Sequence, residues 1–267
     1  MQRVLFIGGF ACGKRTLVDA LLRKQVLISS VMPMAGDRFV TEIVSGDSER
    51  LFSVNEDGYK ECLNLDNLRQ TMLNDSEVNP LLRDTEYIVH ECPAQANNLT
   101  FTISYPCTQE YLSNHGQYSR EILTHPCLKN DAVVYVLNAT MPFTRSDCDY
   151  IEHYLSDDSH SNLFFCINRM DAVWEKEVSM VKNFTKEKLK KVFTKNGVFD
   201  EALYQSRVFF ISAYLSQSAR LGKPIHTFLG DVNVKDIDTG VPEFEYTLRK
   251  FLQKQSIEKQ RAMEQQR

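Results

Sequence analysis

The stretch VLFIGGFACGKRT, residues 4–16, determines how this chain begins to fold. Its four leading apolar residues predict a buried strand, and Gly8 and Gly13 predict a tight loop that leads into a helix. Such a loop points backbone N–H groups at phosphate oxygens, and Lys14 adds a positive charge. A plain glycine turn is the alternative, and the strand–loop–helix context favours the phosphate loop. The predicted phosphate-binding residues are Gly8, Gly9, Cys12, Gly13, Lys14, Arg15 and Thr16.

Arg15 departs from the usual form of this loop, GxxxxGK[ST]. A hydroxyl normally ligates Mg²⁺ at that position, and a guanidinium group cannot coordinate a cation. Thr16 lies one residue further on and points about 100° away around the helix. It can therefore replace the missing ligand only if the loop shifts its register, and the usual magnesium site is not expected.

A second motif, Asn168-Arg169-Met170-Asp171, follows the apolar run at 164–167. It matches the [NT]KxD element of GTPases, in which the carboxylate accepts hydrogen bonds from guanine N1 and N2. A later apolar run ends in Ser212-Ala213, which matches the element that backs the guanine. Asn, Asp and Ser also cap helices, so each match alone is weak. Their order after a phosphate loop predicts a guanine site formed by Asn168, Arg169, Asp171, Ser212 and Ala213.

Short apolar runs alternate with segments of helical spacing along the chain. Strands are predicted at 4–7, 87–90, 132–137, 163–167 and 208–211, and helices at 14–23, 118–123, 146–155, 174–194 and 215–220. Segment 38–61 alternates apolar and polar residues around turn signals, which predicts a hairpin at the sheet edge. The expected fold class is a three-layer α/β P-loop NTPase fold, with a mostly parallel sheet, an antiparallel edge hairpin and helices on both faces.

Composition excludes several functional classes. The chain has 267 residues and a net charge of −4, so no general attraction for nucleic acid is expected. Its seven cysteines show no CxxC spacing, which argues against a zinc site. No apolar run reaches the ~20 residues of a membrane helix, and no signal peptide is evident, so we expect a cytoplasmic protein. We expect one domain over 1–255 and a polar helical extension over 256–267.

The three motifs occur in the order found in P-loop GTPases, and the sequence between them narrows the family. Residues 17–58, LVDALLRKQVLISSVMPMAGDRFVTEIVSGDSERLFSVNEDG, and residues 128–151, LKNDAVVYVLNATMPFTRSDCDYI, resemble the bacterial dynamin-like pattern. The chain thus resembles a dynamin-like GTPase head domain from Arg3 to Leu252. The resemblance implies GTP or GDP as ligand and a homodimer or hetero-oligomer formed through the head. It also implies membrane remodelling through a stalk or partner, with the head only peripheral to the inner membrane face.

Several positions depart from the family pattern. The second phosphate-side signature, DxPG, falls on Glu91-Cys92-Pro93-Ala94, so switch II is expected at Glu91, Pro93 and Ala94, with Glu91 as a second magnesium-side residue beside Thr16. Phe10 and Ala11 replace the polar pair of the phosphate loop, and 36–38 replaces the switch threonine, while Thr41 lies inside a strand pattern. These changes all affect magnesium or the attacking water. The sequence therefore predicts nucleotide binding with weak or absent hydrolysis.

Two other functions fit parts of the sequence. A P-loop nucleoside or nucleotide kinase also tolerates a non-hydroxyl residue before the threonine, as Arg15-Thr16 would require. A catalytically dead interaction scaffold is the third possibility. The lysine-rich stretch at 181–195 is interpreted as the solvated face of a surface helix, with a basic membrane-facing helix as the alternative. Its side chains expected to point inward are Val181, Phe184, Leu189 and Phe193.

Overall fold

The computed structural model describes residues 2–9, 11–25, 39–64, 85–93, 99–104, 117–155, 162–195, 197–222, 226–227, 230–231 and 238–265. Strands occupy Gln2–Ile7 (β1), Val40–Gly46 (β2), Arg50–Val54 (β3), Lys60–Cys62 (β4), Tyr87–Pro93 (β5), Leu99–Ile103 (β6), Ala132–Asn138 (β7), Leu163–Asn168 (β8), Thr194–Lys195 (β9), Val198–Phe199 (β10), Val208–Phe210 (β11), His226–Thr227 (β12) and Gly230–Asp231 (β13). Helices occupy Lys14–Leu22 (α1), Gln117–Thr124 (α2), Pro126–Lys129 (α3), Arg145–Tyr154 (α4), Glu175–Leu189 (α5), Glu201–Arg207 (α6), Ala213–Arg220 (α7) and Val241–Gln265 (α8).

A nine-stranded sheet runs through the domain in the order β11-β8-β7-β1-β6-β2-β5-β3-β4. The five strands from β11 to β6 are all parallel. The apolar residues of β1, β7 and β8 are buried on both faces of the sheet, which is why these strands have continuous apolar sequences. The predicted α/β fold class is confirmed.

Strand β6 was not predicted from the sequence, although it lies beside β1 at the centre of the sheet. Leu99, Phe101 and Ile103 alternate with Thr100 and Thr102, and all five residues are buried. Alternation is typical of a strand with one solvent-exposed face, whereas continuous apolar runs are typical of buried parallel strands. The central strand β6 was therefore not predicted, because its buried threonines interrupt the apolar run.

The hairpin predicted over 38–61 is only partly present. The antiparallel β3–β4 pair forms it at the sheet edge, with the turn closed from Gly58 N to Asn55 O. Strand β2 does not pair with β3, because β5 lies between them. Since β2 is antiparallel to β6 and parallel to β5, both β2 and β5 run opposite to β1. The carboxyl ends of β1, β6, β7, β8 and β11 thus share one edge, here called the carboxyl edge, and β5 ends at the opposite one, here called the far edge.

The C-terminal helix α8 crosses the expected boundary at 255 without a break. Its buried side chains end at Leu252. The Arg207 guanidinium lies 4.3 Å from the ring centres of both Phe164 and Phe251, which fastens α8 to β8. Burial lowers the pKa of Arg207 to about 10. Among the helices of the described part of the chain, none is long and apolar enough to cross a membrane.

Candidate functional site

The loop between β1 and α1 lies at the carboxyl edge and depends on two glycines. A Cβ atom at Gly8 would lie 2.1 Å from the Val136 carbonyl oxygen. A Cβ atom at Gly13 would lie 2.3 Å from Asn168 Nδ2, and Gly13 has a φ of +88°. No larger residue fits at either position without moving the neighbouring strand or side chain. These close approaches bring the loop against β7 and β8.

Lys14 places its ammonium group inside this loop. The side chain is only 4% exposed, and Nζ donates hydrogen bonds to the carbonyl oxygens of Gly8 at 2.7 Å and Gly9 at 2.9 Å. These two carbonyl oxygens hold the ammonium group at the centre of the loop. The loop is therefore preorganised to receive a negatively charged group.

Asn168 connects the phosphate loop to the second predicted element. Its Nδ2 donates to the Cys12 carbonyl oxygen at 2.8 Å, and its Oδ1 accepts from the Ala213 backbone N–H at 2.9 Å. The residue is buried at the end of β8. One side chain thus joins the loop at Cys12, strand β8 and the start of α7.

The Asp171 carboxylate stands at the rim of the same edge. Ser212 Oγ donates to Asp171 Oδ1 at 2.5 Å and accepts from the Leu215 N–H at 3.3 Å, so the serine both holds the carboxylate and caps α7. Arg169, at a φ of +67°, turns the chain just before Asp171. Asp171 is exposed, and a carboxylate has lone pairs beyond the one that Ser212 uses. It can therefore accept further hydrogen bonds from a ligand.

Arg15 occupies the position of the usual magnesium-ligating hydroxyl, and its guanidinium group cannot coordinate a cation. Arg15 and Thr16 lie half-buried in the first turn of α1, with the guanidinium side chain directly after Lys14. No described group of three or more His, Cys, Asp or Glu side chains could hold a metal ion. The phosphate loop thus carries a positively charged side chain, Arg15, at the position of the family's magnesium ligand.

Comparison with known proteins now identifies the family. The model of the Dynamin family matches residues 4–171, which is more than half of the chain. The chain belongs to the dynamin family. This matched region contains the phosphate loop, Asn168 and Asp171, so the described sheet is that of a dynamin-like GTPase domain, and the family implies guanine nucleotide as the ligand.

Individual relatives extend the dynamin comparison over most of the chain. The transmembrane GTPase Marf of Drosophila melanogaster is 25% identical over 240 residues, which cover 84% of this chain. Two chains from structures of an oligomerised bacterial dynamin pair, described as sensing and tethering membranes, match with TM-scores of 0.64 and 0.59 at 17% and 16% identity. They cover 94% and 99% of this chain. The chain spans 28% of the Drosophila protein and 39% and 42% of the two bacterial chains.

The structure corrects the placement of the dynamin DxPG signature at Glu91 and Pro93. Strand β5 runs opposite to β1, so both residues lie at the far edge and not beside the phosphate loop. Glu91 Oε2 accepts from Arg50 Nη2 at 2.7 Å, and Pro93 pairs with Gly46. Ala94, the last residue of that prediction, lies outside the described residues. The tetrapeptide resembles DxPG in sequence, but a residue beside the phosphate loop must follow a strand that runs parallel to β1.

Strand β6 is the neighbour of β1 that does end at the carboxyl edge. The Ser104 N–H donates to the Phe6 carbonyl oxygen at 2.9 Å, directly beside the strand that leads into the phosphate loop. In sequence, Ser104-Tyr105-Pro106-Cys107 keeps only the proline of DxPG, and 105–107 lies outside the described residues. The alternating pattern of β6 followed by a proline was the signal that the sequence reasoning missed.

The remaining departures from the dynamin pattern divide between described and undescribed residues. Ala11 is exposed in the loop at a φ of +53°, and Thr41 is buried inside β2, as the strand pattern predicted. Phe10 and residues 36–38 lie outside the described part of the chain.

Asp147 is a further polar residue at this edge that the sequence reasoning did not select. Its Oδ1 accepts from the Tyr135 hydroxyl at 2.9 Å and lies 3.7 Å from where a Cβ of Gly9 would stand. Its Oδ2 accepts from the Thr144 N–H and hydroxyl in a capping box at the start of α4. Burial, together with the Asp147 charge, raises the pKa of Tyr135 well above its usual value. The Thr-x-x-Asp spacing was a detectable signal for this cap.

Proposed function

We propose that this chain is a guanine-nucleotide-binding domain that holds GTP or GDP with little dependence on magnesium and hydrolyses GTP weakly or not at all. The observation that carries the proposal is an asymmetry at the carboxyl edge. Asn168, Asp171 and Ser212 form a connected network, whereas Arg15 and Ser104 stand where magnesium-side groups are expected.

Binding would use residues that are already fixed. The Lys14 ammonium and the N–H groups at the start of α1 would meet the phosphates. Asp171 would accept hydrogen bonds from guanine N1 and N2, and Arg169 would lie along the base. Adenine lacks that donor pair, so the carboxylate gives selectivity for guanine. Hydrogen bonds to a charged partner contribute about 1.5–3 kcal/mol each.

Hydrolysis would lack the groups that position the metal and the water. The guanidinium of Arg15 cannot ligate Mg²⁺, and a serine at position 104 offers one neutral hydroxyl in place of a carboxylate. Ala11 cannot hydrogen-bond through its side chain. Phosphoryl transfer depends on positioning and charge stabilisation, so these substitutions would suppress turnover more than binding.

The cellular role is proposed from the relatives. The bacterial pair is described as oligomerised and as tethering membranes, and the Drosophila protein as a transmembrane GTPase. We propose that this domain likewise pairs through its head and serves membrane remodelling through a stalk or a partner. Within the cell it would be cytoplasmic, at the inner face of a membrane.

Equilibrium binding of fluorescent GTP, GDP and ATP, with and without Mg²⁺, tests this proposal. We expect guanine-selective binding that magnesium changes by less than about threefold, and loss of binding in Lys14→Ala. In a double variant, Arg15→Ser with Ser104→Asp, Mg²⁺ should increase the affinity for GTP about tenfold, which corresponds to roughly 1.4 kcal/mol. Glu91→Asp is the matched control. It restores the signature aspartate at the far edge, so it should not change the magnesium dependence of nucleotide affinity.

Other outcomes would favour the alternatives. Strong magnesium dependence in the unaltered chain, or rapid phosphate release from GTP, would contradict the proposal. If the chain bound none of the three nucleotides, the interaction scaffold with a GTPase fold would be the favoured function. The kinase alternative is not retained, because the chain belongs to the dynamin family.

A further inference from the structure

The outer side of α5 carries a strip in which lysines flank exposed apolar side chains. Lys176, Met180, Phe184 and Lys188 follow one another at intervals of four residues, so they are neighbours on the helix surface. Met180 is 63% exposed and Phe184 is 43% exposed. An ordinary solvated helix face would place polar residues at these two positions.

The outward position of Phe184 corrects the sequence prediction that it points into the core. Leu189 and Phe193 are buried as predicted and Val181 is half-buried, but Phe184 is exposed and its ring lies against the loop after β7. There its centre lies 5.9 Å from that of Phe143 in an edge-on contact, and Met141 nearby in sequence is 65% exposed. We call the set Lys176, Met180, Phe184, Lys188 and Phe143 the α5 patch.

The segment that carries the α5 patch has a net charge opposite to that of the whole chain, and Lys176 and Lys188 lie on the patch side of the helix. Residues 176–195 contain seven lysines and two glutamates, whereas the entire chain has a net charge of −4. Two of the lysines are paired, Lys186 with Glu201 at 2.6 Å and Lys190 with Glu187 at 3.8 Å. The Lys188 ammonium lies 5.5 Å from the centre of the Phe184 ring, so charge and apolar surface are adjacent.

We propose that the α5 patch docks this domain directly on an anionic phospholipid surface. Such a surface offers negative headgroups to the lysines and, immediately below them, an apolar layer for Met180 and Phe184. A purely acidic surface would match only the lysines and would leave Met180 and Phe184 exposed to water. The contact goes beyond the proposed nucleotide function. Phe143 follows β7 at the carboxyl edge, but no residue of the α5 patch is among those proposed to bind nucleotide.

Co-sedimentation of the 267-residue chain with vesicles tests the proposal. The vesicles are phosphatidylcholine alone or equal parts phosphatidylcholine and phosphatidylserine. We expect at least about tenfold stronger binding to the anionic vesicles, since each lysine near such a surface adds roughly fivefold. Raising the salt concentration should weaken the binding, because exposed charges are screened.

Two variants and one matched control locate the surface. Lys176→Glu with Lys188→Glu should lose about tenfold or more in affinity, and Met180→Ser about threefold. Lys254→Glu with Met263→Ser makes similar changes on α8, where Met263 is 59% exposed, and should bind like the unaltered chain. Met180→Ser keeps the test valid if the charge reversals disturb folding, because its side chain faces solvent.

Three results would overturn the proposal. These are equal binding to neutral and anionic vesicles, equal losses in the α5 and α8 variants, or binding to polyglutamate but not to vesicles. The last result would indicate an acidic protein partner. Lys14→Ala should bind vesicles normally, so failure of nucleotide binding and failure of membrane docking are distinguishable.

Discussion

The base-recognition side and the magnesium side of the carboxyl edge differ in how their residues are built into the fold. Asn168 joins two loops, and Ser212 both holds Asp171 and caps α7. On the magnesium side, Arg15 is a half-buried residue of the first turn of α1, and Ser104 is bonded to β1 through its backbone N–H. Substitution of Asn168 or Ser212 would therefore disturb the fold as well as a bound ligand. We therefore expect the two sides of the site to respond differently to substitution.

The largest effect that would sharpen this comparison is expected at Asp171. Asp171→Asn should reduce the preference for GTP over ATP by about tenfold or more, because the amide presents a donor where the carboxylate presents only acceptors. Trp174 is the only tryptophan of the chain and lies exposed three residues away, so its fluorescence offers a readout of binding. The control is Asp149→Asn on the exposed side of α4, and an unchanged ratio in Asp171→Asn would remove this residue from the guanine site.

A smaller effect separates the two roles of Ser212. Ser212→Ala and Asp200→Ala each remove a side-chain cap, that of α7 and that of α6 respectively, and each should destabilise folding by about 1 kcal/mol. Only Ser212→Ala also releases Asp171, so only this variant should lose GTP affinity, by severalfold. Thermal unfolding and nucleotide titration measure the two quantities. Equal GTP affinity in both variants would mean that Ser212 serves the fold alone.

The smallest effect on nucleotide binding is expected at the far edge, which should influence folding alone. His90 is fully buried, with Nε2 3.3 Å from Glu49 Oε1. Burial lowers the pKa of His90, and Lys24 acts in the same direction, while Glu49 opposes them. Below the usual pKa of 6.5, the folded state binds fewer protons at His90 than the unfolded state. Stability should be complete above that pH and fall as the pH drops toward the folded pKa, by at most about 1.4 kcal/mol per pH unit.

Denaturant unfolding at a series of pH values measures this contribution. His90→Gln should flatten the acid side of the stability curve, while His153→Gln, at an exposed position on α4, should leave its slope unchanged. The GTP affinity of the folded protein should not follow this titration. A nucleotide affinity that changes with the protonation of His90 would contradict the separation of the two edges.

Local sequence predicted the parts of the site whose geometry is local. The phosphate loop was recognisable because its glycines, lysine and helix start are contiguous, and the carboxylate at Asp171 because it follows a strand end. The same local reasoning failed at Glu91, because a Pro-containing tetrapeptide resembles a signature at either end of a sheet. It also failed at Phe184, because helical spacing shows which residues share a face and not what lies against that face.

The sequence by itself determined the α/β class and the strand–loop–helix over residues 4–22, because these depend on apolar periodicity and on residues adjacent in the chain. Only the tertiary structure decided which strands run parallel to β1, and hence that Ser104 and not Glu91 stands at the carboxyl edge. It also decided that Met180 and Phe184 remain uncovered on α5. Strand direction and burial arise from pairings between residues distant in sequence, such as Phe6 with Ile103 and Thr41 with Ile103, and no local pattern specifies them.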